Sequence, residues 1–125
     1  EITMALTKTP IYGLPGDRYV VQTSATATPD NSVAGGAGLL LQVDIDNTGN
    51  LDAVYVKLYD HAGPTVGSTP PEWVLKCPAS VRRIFNCTPG SAFATNLSLA
   101  CVTTGGTGGS TSPQNAVTVR LLLDV

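Results

Sequence analysis

A chain of 125 residues suits one domain, long enough to bury about two thirds of its unfolded surface. Charged residues are 13% of it, against roughly 25% in an average globular protein, and the net charge is −2. Scattered Lys and Arg leave no electrostatic footprint for nucleic acid, and the wealth of Val, Thr and Ala is not the composition of a disordered chain.

Residues 1–17 read as an extended N-terminal arm and residues 18–125 as a β-sandwich domain. Ile2, Met4 and Leu6 alternate with polar neighbours as an edge strand does, before Pro10, Gly13, Pro15 and Gly16 interrupt regular structure. Ile11, Tyr12 and Leu14 have little local means of burial. Ile2, Met4, Leu6, Ile11, Tyr12 and Leu14 are therefore the candidate partner-binding residues, docking either on a neighbouring molecule or across the edge of their own domain.

From Arg18 to Thr28 the pattern predicts a strand with Tyr19, Val21, Thr23, Ala25 and Ala27 on one face. After turn residues and Gly35 to Gly38, Leu39 to Asp46 alternates again, with Leu39, Leu41, Val43 and Ile45 facing inward. Asn47 to Asn50 reads as a turn returning the strand Asp52 to Asp60 against it as a hairpin. In that strand Val54, Val56 and Leu58 oppose Tyr55, Lys57 and Tyr59. A long loop, 61–71, ends in Pro70-Pro71 and leads to Glu72 to Cys77, with Trp73, Leu75 and Cys77 aligned. Ser80 to Cys87 puts Val81, Arg83, Phe85 and Cys87 on one side, which leaves Arg83 turned inward, as at an edge or an intersubunit contact. A turn at 88–91 precedes a strand from Phe93 to Thr103. The Gly/Ser/Thr run from Gly105 to Pro113 reads as a mobile loop, and Ala116 to Val125 as a well-paired strand with Val117, Val119, Leu121, Leu123 and Val125 inward.

Reactive chemistry finds no foothold in these patterns. Gly35 to Gly38 lacks the Lys-Ser/Thr of a phosphate loop. Asp44, Asp46, Thr48, Gly49 and Asp52 partly mimic a calcium loop, but Tyr55 stands where the closing carboxylate belongs. His61 has no nucleophile or carboxylate at a telling spacing. Cys77, Cys87 and Cys101 match no zinc spacing and read as small buried hydrophobes, which suits a reducing cytosol. Neither a catalytic residue, a cofactor nor a metal is expected, and no apolar run approaches the 18 residues of a membrane span.

Short strands, frequent turn signals and no helical period predict an all-β fold: an antiparallel β-sandwich, best an eight-stranded jelly roll. An immunoglobulin-type sandwich comes second, because Trp73 precedes all three cysteines.

The segments VYVKLYD (54–60), GPTVGSTPP (63–71) and FATNLSLACVTTG (93–105) resemble a pattern in small virion proteins of tailed bacteriophages. The resemblance spans Asn50 to Val125 and leaves out the first 17 residues. It implies a structural protein rather than an enzyme: a capsid decoration, or cement, protein, bridging major capsid subunits as a homotrimer. Such a protein is made in the host bacterial cytoplasm and ends on the capsid surface of the virion. The alternative is a tail-fibre or carbohydrate-binding jelly-roll module, with Tyr55, Tyr59 and Trp73 as rim aromatics.

Overall fold

The structure, a computed structural model, describes residues 5–10 and 16–125. Among these it is all-β. The strands are β1 (Leu6–Pro10), β2 (Arg18–Gln22), β3 (Gly38–Asp46), β4 (Val54–Tyr59), β5 (Trp73–Cys77), β6 (Arg82–Phe93), β7 (Ser98–Val102) and β8 (Thr118–Asp124). They form two antiparallel sheets packed as the expected sandwich. The large sheet runs β1-β2-β8-β3-β6 and the small one β5-β4-β7. A single bridge, Asp30 to Leu99, lies beside β7.

The pairs nest. β2 lies against β8, Asp30 against β7, β3 against β6 and β4 against β5. Such nesting is that of one long antiparallel ribbon folded over into two layers, with the β4–β5 hairpin at its tip.

The core lies between the layers. Val20, Leu40, Val43, Ile45, Val119, Leu121 and Leu123 from the large sheet face Val54, Val56, Leu58, Leu99 and Cys101 from the small one. Each such side chain contributes about 1.5–3 kcal/mol when fully buried. The expected inward rows of β4, β5 and β8 are all found, except that Val125 is 39% exposed. β8 is also central, between β2 and β3.

Three expectations are corrected. The first is the hairpin from residue 39 to 60. β3 and β4 belong to different sheets, so residues 47–53 cross between layers. Buried Asn47 and Asn50 pin the crossing. The Asn47 amide donates to the carbonyls of Asp52 (3.0 Å) and Pro78 (3.0 Å), and Asn50 donates to Asn47 Oδ1 (2.9 Å) and to the Asn115 carbonyl (3.1 Å). A turn signal between two alternating runs is the same whether the second run pairs with the first or passes beneath it.

The second is which way β2 and the first residues of β3 face; Val43 and Ile45 point inward as expected. Val20 is buried and Gln22 nearly so, while Tyr19 and Val21 are half-exposed. Gln22 occupies an inward position because its amide donates to both carboxylate oxygens of Asp30, at 2.9 Å each. That contact draws the chain after β2 across to the small sheet, so the strand ends at Gln22 rather than Thr28. In β3 the pairing register with β8 slips between Leu40 and Gln42. Leu41 is the extra residue of a β-bulge, which reverses the alternation. Leu40, not Leu39 or Leu41, therefore enters the core at 1% exposure.

The third concerns residues 88–93. β6 continues through Pro89 and Gly90 as far as Phe93, with residues 87–90 opposite the single residue Leu41. The turn residues produce a bulge inside a strand, and the next strand begins only at Ser98.

Candidate functional site

The outer face of the large sheet is the best candidate. The Leu41 bulge pushes β3 outward just where β8 ends and β6 kinks. Leu39, Leu41 and Leu122 floor a concavity of about 350 Å³, bordered by Gln42, Asn86, Pro89 and Asp124. Gln42 donates to Asn86 Oδ1 at 2.9 Å, which fixes one wall. Further along the same face Arg82 grips Asp44 with two bonds, Nε to Oδ1 at 2.9 Å and Nη2 to Oδ2 at 2.5 Å. Asp44 is buried beneath this fork, opposite Arg120 of β8. Ile84 stands beside it, 50% exposed. With an Arg at its centre and no Lys or Glu, this face shares two compositional features of protein-binding surfaces.

The small sheet's outer face is finished differently. Lys57 points away from the core yet is fully buried, because the chain after β7 folds over it. Its ammonium donates to the carbonyls of Gly106 (2.6 Å) and Gly109 (2.7 Å), and more weakly to that of Thr107 (3.4 Å). Burial lowers the Lys57 pKa from its ordinary value. Glycine lets the strap lie close: a Cβ at Gly105 would stand 2.8 Å from the Tyr55 ring. A bond from the Ala27 amide to Ser112 Oγ (3.0 Å) secures its far end. The Gly105–Pro113 run, expected to be mobile, is thus a docked strap. Alternation put Lys57 on the outer face, but no local signal told that a remote segment would cover it.

Tyr59, expected at a binding rim, is fully buried under this side, and its hydroxyl finds no partner among the described residues. Burial raises its pKa. Tyr55 is half-buried with the Lys76 ammonium 5.9 Å from its ring centroid, and Trp73 packs against the core. These three aromatics form no shared rim.

Of the candidate partner-binding residues, Leu6 packs against the core from β1, which pairs with β2 as the sheet's edge. Ile2, Met4, Ile11, Tyr12 and Leu14 lie outside the described residues. Two of the three acidic residues of the calcium-like stretch are otherwise engaged: Asp44 with Arg82, and Asp46 with the Thr48 hydroxyl (2.6 Å) and amide (3.1 Å); Asp52 is exposed. The Thr48 hydroxyl and amide lower the Asp46 pKa. No group of three or more His, Cys, Asp or Glu side chains placed to hold a metal ion occurs among the described residues. His61 accepts a bond from the Gly63 amide in its loop. The three cysteines are free; Cys77 and Cys101 are buried in the core and Cys87 partly so. Burial pushes the Cys101 thiol up to about 12, which makes it inert as a nucleophile at neutral pH.

No family model matches the chain, and neither a curated protein nor a solved structure matches it.

Proposed function

We propose that this protein is a structural component of a tailed-phage virion, a capsid decoration protein that bridges major capsid subunits, and that its sandwich is a jelly roll. The nested pairing β2/β8, Asp30/β7, β3/β6 and β4/β5 supports the jelly roll. The function rests on one observation: the leucine-floored concavity on the bare outer face of the large sheet. A rigid sheet presenting such a face binds by shape and burial. Its conspicuous polar side chains are spent inside the molecule, Lys57 on carbonyls, Asp44 on Arg82 and Asp60 on backbone amides.

The test is co-sedimentation of the purified protein with phage heads that lack it. Saturable binding at a fixed number of copies per head is expected, with Leu41→Asp lowering occupancy while the fold persists. Failure to bind heads, together with saturable binding to a surface glycan, would establish the fibre-type module instead.

A further inference from the structure

We propose that two copies of this chain join through the free edge of β6 into a two-fold dimer with a continuous sheet across the axis. β6 ends the large sheet, so that among the described residues one side of it has no neighbouring strand. Which backbone groups face that side follows from the ladder. The Asn47 amide bonds to the Val81 carbonyl at 2.9 Å, and the register continues through Ile45↔Arg83 and Val43↔Phe85. Hydrogen-bonded pairs alternate along an antiparallel ladder. Arg83 and Phe85 therefore spend their N–H and C=O on β3, while Arg82, Ile84 and Asn86 turn theirs to the open side.

Open edges are ordinarily blunted by charged side chains, lysine above all, by proline, a bulge or a covering loop; here the charges are Arg82 and Arg83, and a bulge follows at 87–90. Between Arg82 and Cys87 there is no proline and no lysine, and the register with β3 is unbroken from Arg82 to Asn86. The Arg82 charge is neutralised by Asp44. Ile84, half-exposed, occupies the middle.

A second copy fits this edge by charge and chemistry. Pairing β6 with itself antiparallel about Ile84 sets Ile84 against the partner's Ile84. Arg82 then meets the partner's Asn86, a donor against an amide oxygen. On the other face Arg83 meets the partner's Phe85, a guanidinium against an aromatic ring. Sliding the axis toward Arg83 or Arg82 would set an arginine against its own copy. Self-pairing of one strand is isologous and hence two-fold, in place of the three-fold assembly that the phage resemblance implies. The inference deepens the virion reading by naming a partner, a second copy, but does not need capsid binding to hold.

Sedimentation equilibrium of the full chain tests it. A dimer is expected at micromolar concentrations. Ile84→Pro removes only an outward N–H, so the β3 ladder and the thermal transition stay while association weakens at least about tenfold. Should that variant misfold, Arg83→Glu, which loses the contact with the partner's Phe85, decides in its place. A wild-type monomer or trimer overturns the inference, as does dimerisation unaltered in a folded variant. The two readings fail separately: a monomer that decorates heads sinks the dimer alone, and a dimer that ignores heads sinks the capsid role alone.

Discussion

The outer faces of the two sheets are finished in opposite ways. The small sheet puts Tyr55, Lys57 and Tyr59 outward and then closes over Lys57 with a strap, so that even an ammonium is fully buried. The large sheet leaves Leu39, Leu41, Ile84 and Leu122 half-bare around an ion pair. Covering polar groups while exposing apolar ones inverts the usual economy of a monomer. The closed face is accounted for within the chain. The open face is not covered by any described part of the chain, which is why the proposed binding is assigned there.

The sharpest way to break this contrast is at the bulge. Leu40 and Leu41 are neighbours on opposite sides of the large sheet. Leu40→Ala empties a core position and should cost about 2–5 kcal/mol. Leu41→Ala trims the concavity and should cost about 1 kcal/mol or less. Urea unfolding of the two variants measures both. Equal losses would mean that the bulge does not turn Leu41 outward, and the concavity would lose its floor.

A smaller effect separates the two outer faces directly. Lys57→Ala removes two short charge-assisted bonds and a buried aliphatic stem, and should destabilise by roughly 2–3 kcal/mol. It should also open 105–110 to limited proteolysis. Ile84→Ala, outward on the large sheet, should change stability by about 0.5 kcal/mol or less. If the strap stayed protease-resistant in Lys57→Ala, the lysine would not be what holds it.

The sequence made the inward rows of β4, β5 and β8 readable because alternation there is unbroken and agrees with pairing. It misled wherever a tertiary contact overrode the pattern. Gln22 is inward for the sake of Asp30, and Leu40 is inward because Leu41 is an inserted residue. Neither cause is local. The hairpin expected at Asn47 to Asn50 failed for a related reason, since what makes it a crossing is a set of bonds to residues near 78 and 115. The candidate site suffered most, because its floor depends on the bulge and its isolation on the strap covering the other sheet. Arg83 was the exception: its misfit on an apolar face pointed to an edge or an intersubunit contact, and β6 is an edge.

Acid gives the smallest and most discriminating effect, because two carboxylates near the start of β7 have pKa values shifted in opposite directions. Asp60 accepts bonds from the amides of Ala94 and Thr95, at 2.8 Å each, and from that of Asn96 at 3.3 Å. The Ala94 amide, then that of Thr95, lowers its pKa below the ordinary 3.8. Its stabilisation is present above the unfolded value and is lost as pH falls through the lower, folded one. Asp30 is pushed the other way, above 3.8, by burial that outweighs the Gln22 bond. The folded state therefore takes up a proton there first, and stability gains as pH falls toward 3.8. Urea midpoints should thus hold or rise slightly on mild acidification and drop only below about pH 4, the range of unperturbed carboxylates. Asp60→Asn should flatten the acid drop, and Asp30→Asn should remove the gain above it. A drop that survives Asp60→Asn unchanged would move the acid sensitivity away from the small-sheet end, to Asp46 at the end of β3, whose pKa is also lowered, by Thr48.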